Sequence, residues 1–364
     1  MTEELSTYLA QLGNRMDKQT GAISAPIHLS TTYSHPEFGK STGFDYTRTK
    51  NPTRTILEEG LAKLEEGAQA IVTSSGMSAI QLVFQLFPAG SQFLVSRDLY
   101  GGSYRYFKEL EAQKIAVFHY FETVDDLKQQ LSTEIAAIFL ETPTNPLMNE
   151  IAIEQVVSLA KQYQALTIVD NTFLTPLRQK PLTLGADLVV HSATKFLAGH
   201  NDILAGVVVA KDAELGNRLA WLANTTGPTL ASFDCWLFIR SLKTFPLRFE
   251  RQEQNAQAIV QALQNHPAVK EIFYADKGAM ISFKVVDQTK IGEFLEKLAI
   301  FTYAESLGGV ESLITYPTTQ THADIPKEER EAYGLTPDLL RLSIGIESAT
   351  DLINDLKQAL AIFA

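Results

Sequence analysis

Short, uninterrupted apolar runs, most of them followed by a helical stretch, constrain this chain more than any other feature. They are FLVS from Phe93, IAVFHY from Ile115, AAIFLE from Ala136, LTIVD from Leu166, DLVVHS from Asp187 and LAGVVVA from Leu204. A strand with one wet face alternates apolar and polar residues, whereas a continuous apolar run is buried on both faces. Such strands, separated by helical segments like EQVVSLAKQYQ, predict an α/β fold: a mostly parallel sheet covered by helices on both sides. LAGVVVA lies close behind DLVVHS and is expected to run antiparallel to the rest.

At 364 residues the chain exceeds what one core supports, so two domains and an arm are expected. Residues 1–50 are rich in Ser, Thr and Gly; they read as a short helix and an extended arm that lies on the body or on a second subunit. Residues 51–240 carry the sheet, beginning with helical spacing at Ile56, Leu57, Leu61 and Leu64. A helical pattern from Ser232 to Leu263, broken or kinked near Pro246, spans the boundary. Residues 241–364 then alternate strand (GAMISFKVV, LLRLSIGI) and helix (IGEFLEKLA, DLINDLKQALAIF), a smaller α+β domain.

The net charge of -11, with no basic block, argues against nucleic acid as a partner. Cys235 is the only cysteine, so neither an intrachain disulfide nor a cysteine-based metal site is expected. It sits in SFDCWLFIR and reads as a small buried core residue. None of the seven histidines has metal-ligand spacing, His191 and His200 beside Lys195 included, and no metal is expected. No apolar run is long enough for a membrane span, and the first residues, MTEELSTYLAQLGN, do not read as a signal peptide. The expectation is a cytoplasmic enzyme.

Ligands of open α/β sheets bind beyond the carboxyl ends of the strands. Asp170 ends LTIVD, Ser192 to Lys195 follow DLVVH, and Asn145 follows AAIFLETPT, so all are expected at one rim. Lys195 is either a solvated charge or a partly desolvated amine, which suits Schiff-base chemistry. Asp170 is either a turn residue or a carboxylate that keeps a pyridine nitrogen protonated. Together with the hydroxyls of Ser192 and Thr194 they suit one cofactor, pyridoxal phosphate (PLP). TSSGMSAIQLVFQLF opens a helix whose first amides, at Gly76 and Met77, either take a plain N-cap or bind a phosphate. Tyr46 and Arg48 lie two apart in an extended loop, where Arg48 is able to grip a phosphate, or both simply face solvent. Tyr100, past a strand end in SRDLYGGSY, stacks on a planar ring or is half-buried before a Gly-Gly turn. Arg341 lies in an apolar strand and must meet a carboxylate, from the protein or from a substrate.

In order along the chain, YTRTKNPTR, SSGMSAI, DLYGGSYR, ETPTNPL, VDNTF, GADLVVHSATKFLAGHND, AESLGGVESL and LLRLSIGIE resemble the Cys/Met metabolism family of PLP enzymes, the cystathionine synthases and lyases. The likeness spans nearly the whole chain and is strongest to the cystathionine γ-synthase branch, including forms that also act as O-acetylhomoserine thiol-lyases. It implies an aminotransferase-like fold (fold type I) with a seven-stranded sheet, and a homotetramer built as a dimer of dimers. It implies that Lys195 holds the cofactor and moves protons, with Asp170 on the ring nitrogen. Tyr100 would stack on the ring and act in acid–base chemistry. Gly76, Met77, Ser192 and Thr194 would hold the phosphate, with Tyr46 and Arg48 reaching it from a neighbouring subunit. Asn145, Ser306 and Arg341 would position the amino acid. Glu305, just before Ser306, disfavours a β-lyase, for which an aromatic is usual. The activity implied is γ-replacement of an O-acyl-homoserine by cysteine; a sulfhydrylase and a γ-lyase share the chemistry, and a non-catalytic PLP-binding regulator is a different class. Two departures stand out: the segment between Tyr274 and Gly278 is short, and Gln252 stands where many relatives carry histidine.

Overall fold

The computed structural model describes residues 4–363. Seven strands, β1 (Gln69–Thr73), β2 (Ser91–Ser96), β3 (Ala116–Phe121), β4 (Ile135–Glu141), β5 (Leu166–Asp170), β6 (Leu188–Ser192) and β7 (Gly206–Ala210), form a sheet in the order β1-β7-β6-β5-β4-β2-β3. β2 pairs in parallel with β3 and β4, and β4 with β5. β7 runs antiparallel to both β1 and β6, as its closeness to β6 in sequence predicts. β1 is the strand that apolar runs alone do not reveal, because QAIVT opens on a polar residue and is short. A second sheet contains β8 (Val269–Phe273), β9 (Met280–Val285), β10 (Thr302–Tyr303), β11 (Leu313–Thr315) and β12 (Leu339–Ser343), in the order β10-β11-β12-β9-β8. The fold is α/β, with a large sheet and a smaller one.

The chain gathers into two compact units. One runs to Pro88 and resumes over Thr175–Pro246; the other comprises Ala89–Leu174 and the chain from Leu247 onward. In the first, the helix Pro52–Glu65 starts where Asn51 Oδ1 accepts the N–H groups of Thr53 and Arg54, with Pro52 supplying a first turn that needs no donor. Its apolar stripe, Ile56, Leu57, Leu61 and Leu64, is buried. The arm is tied to this unit at several places, among them Lys243 Nζ donating to the Ala10 carbonyl at 3.1 Å and the His28 N–H donating to Thr53 Oγ1 at 2.9 Å. A Cβ on Gly60 would lie 2.8 Å from a Leu12 methyl, and Trp236 Nε1 donates to the Ala25 carbonyl at 2.9 Å. Beyond Ala25, Leu29 and Phe38 remain exposed. The helix Ser232–Leu242 ends before Phe245–Leu263 begins, so the break falls just ahead of Pro246, whose ring cannot continue the preceding turn. Cys235 is buried in the former, and burial pushes its thiol pKa up.

The core of the second unit is aromatic. Phe107 stacks on Phe118 with centroids 4.4 Å apart and meets Phe139 edge-on at 5.7 Å, while Phe93 stacks on Phe118 at 5.3 Å. Such pairs add stabilisation beyond their buried area. They pin β2, β3 and β4 to the helix Gly101–Ala112. The short segment at 274–278 closes the β8–β9 hairpin: Tyr274 Oη donates to the Gly278 carbonyl at 3.0 Å, and Glu253 Oε1 accepts the Gly278 N–H at 2.7 Å. Gln252 is fully buried, and its Nε2 donates to the Gly309 carbonyl at 2.7 Å.

Candidate active site

The sequence-predicted residues fall into two clusters, one in each unit. In the first, Ser75 caps the helix Gly76–Phe84 by accepting the Ser78 N–H at 3.0 Å. The amides of Gly76 and Met77 belong to the first turn, where a helix leaves its donors without intrahelical partners and attracts anions. This turn packs directly on the end of β6: a Cβ on Gly76 would stand 2.8 Å from Ser192 Cβ and 2.9 Å from its Cα. A Cβ on Gly206 would likewise stand 2.0 Å from the Ser75 carbonyl oxygen. The two bare glycines thus let a helix N-terminus meet the Ser192 hydroxyl at close range.

Lys195 follows in a tight turn, its N–H donating to the Ser192 carbonyl at 3.2 Å and its carbonyl accepting the Gly199 N–H at 2.8 Å. The Thr194 hydroxyl accepts the Ala205 N–H at 3.0 Å and joins the two limbs of the loop. Ser192, Thr194 and Lys195 are half-buried. Tyr46 and Arg48 lie on the exposed arm, the guanidinium 5.7 Å from the Tyr46 ring centroid and bonded to the Asn224 carbonyl. The segment is not extended as the spacing implied: residues 47–49 form a turn in which the Tyr46 carbonyl accepts the N–H groups of Thr49 and Lys50, both at 3.0 Å.

The second cluster is buried and charged. Arg341 occupies the middle of β12, itself central in its sheet, and is 1% exposed. Its guanidinium donates to Asn145 Oδ1 at 2.8 Å, the Ser306 carbonyl at 3.1 Å and Thr315 Oγ1 at 3.2 Å, while Nε has no partner among the described residues. All three acceptors are neutral. Burial lowers its pKa to about 10, opposed by Glu141, Tyr100 and Glu305, so it stays cationic at neutral pH. Ser306 holds its carbonyl there at φ 84, a strained conformation for a residue with a side chain. Glu305 beside it is exposed. His322 supports Asn145 from behind. Burial first, then the Arg341 charge, lowers its pKa to about 3, so the ring is neutral. Nε2–H therefore donates to the Asn145 carbonyl at 2.9 Å, and Nδ1 accepts the Thr321 hydroxyl at 2.8 Å.

Asp170 ends β5, 8% exposed, and accepts the Thr172 N–H at 3.0 Å and its hydroxyl at 2.6 Å. Tyr100 begins the helix Gly101–Ala112 and is 40% exposed. A Cβ on Gly102 would lie 2.4 Å from Tyr100 Cε1, so the ring lies along a helix start that only glycine leaves open. Sequence reasoning missed two acids of this cluster. Glu141 ends β4 and accepts the Tyr100 N–H at 2.9 Å; burial, then Asp170, holds its carboxyl well above the usual range. Asp98 is buried under Leu147, and burial raises its pKa to about 7. Glu141 closes an apolar run, and a polar residue in that place was a signal that it lies inside.

The model of the Cys/Met metabolism PLP-dependent enzyme family matches residues 6–361. The chain belongs to this family. Cystathionine gamma-synthase of Haemophilus influenzae is 50% identical over 367 residues, covering 99% of both chains. Cystathionine gamma-synthase/O-acetylhomoserine (thiol)-lyase of Bacillus subtilis is 50% identical over 362 residues, covering 99% of this chain and 97% of that relative. The crystal structure of cystathionine gamma synthase from Xanthomonas oryzae pv. oryzae in complex with cystathionine matches with a TM-score of 0.97 at 40% identity, over 100% of this chain and 99% of that one.

The cofactor of the family is PLP, and the residues present fit it. A helix N-terminus pressed onto serine by a missing Cβ suits a phosphate, and a half-buried lysine stands three residues further on. Among the described residues there is no group of three histidine, cysteine or acidic side chains able to hold a metal, and no helix long and apolar enough to cross a membrane.

Proposed function

We propose that this chain catalyses γ-replacement on an O-acyl-L-homoserine, with L-cysteine as the incoming thiol and cystathionine as the product. The observation that carries the reading is Arg341. A buried guanidinium is costly unless a counter-charge meets it, and its hydrogen bonds all go to neutral oxygens. An amino-acid α-carboxylate supplies that charge and matches the planar fork. The two relatives that share half their residues with this chain are both named as cystathionine γ-synthases, which supports the same reading.

In this reading Gly76, Met77, Ser192 and Thr194 bind the PLP phosphate, Tyr100 packs on the ring, and Asp170 pairs with the ring nitrogen. PLP, when bound, withdraws electrons from the carbon that bears the substrate's amine. Arg341, Asn145 and Ser306 hold the α-carboxylate and orient the side chain. Lys195 Nζ would take the proton from Cα, pass it to the cofactor carbon that bears the substrate's amine, and, as a free amine again, take one from Cβ. The acyl group leaves Cγ as a carboxylate, the cysteine sulfur takes its place, and the protons return. One amine serves each transfer because Cα and Cβ are adjacent. Glu305, exposed beside Ser306, accepts the ammonium of the incoming cysteine.

The test is an assay of the PLP-loaded protein with O-acetyl- and O-succinyl-homoserine, with and without cysteine, products identified by mass. Cystathionine formed only with cysteine supports γ-replacement; 2-oxobutanoate and ammonia at the same rate with or without it would overturn the reading in favour of elimination. The double name of the Bacillus subtilis relative favours a second reading, transfer to sulfide, which the same assay measures as homocysteine.

The exposed arm extends the proposal to assembly. Leu29, Phe38 and Tyr46 are too apolar to face water in the working protein, so they pack on a second copy, in a dimer of dimers, and carry Arg48 to that copy's phosphate. Mixing Arg48→Ala chains with Lys195→Ala chains restores activity if the site is shared and does not if each chain is self-sufficient.

A further inference from the structure

We propose that Glu141 is a positioning residue that carries a proton rather than a charge: it holds Tyr100 in place and leaves Asp170 as the anion of the pair. The inference rests on the reading that Tyr100 and Asp170 face PLP. β4 and β5 pair in parallel with Glu141 and Asp170 as register partners, each the last residue of its strand. Register partners in a parallel pair project to the same face. Glu141 is 5% exposed and Asp170 8%. Two buried carboxylates side by side do not both ionise, and the better-solvated one keeps the charge. Asp170 receives two donors from Thr172, its N–H and its hydroxyl; Glu141 receives one, the Tyr100 N–H.

The other charged groups acting on Glu141 divide in the same sense. Asp98, after β2, is a second acid that disfavours a charge on Glu141, and Arg341 of β12 is a cation that favours it. That cation is also claimed by a substrate carboxylate in the proposed function, which leaves Asp170 as the nearest charge on Glu141.

The Tyr100 carbonyl is held by the helix that follows, accepting the Ser103 N–H at 2.9 Å and the Tyr104 N–H at 3.1 Å, and its N–H is held by Glu141. Tyr100 stands at the start of the helix Gly101–Ala112 with no side-chain cap. Its ring is placed by the bare backbone at Gly102, and its N–H by Glu141 Oε2. A neutral carboxyl and an amide present the same acceptor oxygen at the same reach. Alanine removes it, and aspartate withdraws it by one methylene while keeping an ionisable group.

The experiment loads wild type, Glu141→Gln, Glu141→Ala and Glu141→Asp with PLP. It records the visible circular dichroism of the cofactor, PLP retention on dialysis, and the pH dependence of the visible band. Alanine and aspartate are expected to weaken PLP retention about tenfold, the loss that one buried hydrogen bond of about 1.4 kcal/mol represents, and to diminish the dichroic band. Glutamine is expected to restore both and to leave the pH dependence where wild type has it. Glutamine behaving like alanine means that Glu141 works as an anion and overturns the proposal. An alanine variant indistinguishable from wild type overturns it as well. Should alanine fail to fold, the aspartate and glutamine pair decides alone. A wild-type chain with no visible band refutes the cofactor reading itself, a different result from either.

Discussion

In the proposed function the lysine cluster and the arginine cluster solve recognition in opposite ways. Around Lys195 the groups are backbone amides and small hydroxyls, half-buried, and three of them lie within four positions of the chain. Around Arg341 they are buried charges and their partners, drawn from Asp98 to Arg341 across more than half the chain. A phosphate can stay partly in water, so a helix end and a serine suffice. A carboxylate held by a buried guanidinium has left water, so each neighbour must be matched for charge and hydrogen bonds. The first cluster should therefore tolerate small changes that the second does not, except at the amine itself.

Lys195→Ala tests that exception and carries the largest expected effect. Turnover should fall by about 10⁴-fold, the scale of losing a positioned acid–base group, as read by steady-state cystathionine formation; substantial residual turnover would falsify the role of Lys195. Arg341→Lys comes next. It keeps the charge but loses the fork, so kcat/KM should fall by about 100-fold, as for losing a charge-assisted pair. An unchanged value would mean that the substrate carboxylate binds elsewhere. Gly76→Ala probes the tolerant cluster: the new methyl collides with Ser192. PLP affinity should drop about tenfold, in line with a modest steric shift, and activity should return with added PLP. Failure to return would show that the phosphate cradle is as unforgiving as the arginine cluster.

The smallest effect is on stability. Asp98 has its folded pKa raised from 3.8 to about 7 by burial. The folded state thus binds the proton more tightly than the unfolded state. The stability that this proton brings is complete below about pH 4 and declines as pH rises towards about 7. Asp98→Asn, measured by melting temperature of the PLP-loaded protein between those limits, should flatten that decline. Glu58, raised to about 7 by burial in the other unit, should leave a residual slope.

Much of the tolerant cluster was legible in the sequence because its parts are local. A glycine opening an apolar helix, and a lysine behind two hydroxyls at a strand end, announce themselves within a few residues. Arg341 was legible in need but not in supply: an arginine between leucines must find partners, yet nothing near it names Asn145, Ser306 or Thr315. Glu141 closes an apolar run and so hints at its burial, whereas Asp98 and His322, one polar residue in TYPTTQTH, have no such local signal. Their burial depends on segments far away in the chain. β1 escaped notice because five residues opening on glutamine carry too little apolar signal until β7 pairs with them.

The order of short apolar runs and helices determined by itself that this chain would build an open, mostly parallel sheet. The local motifs determined which cofactor it would accept. Both follow from interactions between neighbours in the chain: strand period, helix caps and turn geometry. Tertiary structure alone decided which acids are buried, which of them lie in register at adjacent strand ends, and that the guanidinium of Arg341 meets only neutral oxygens. Those are matters of desolvation and of pairing between distant segments, and no stretch of sequence carries its own dielectric environment.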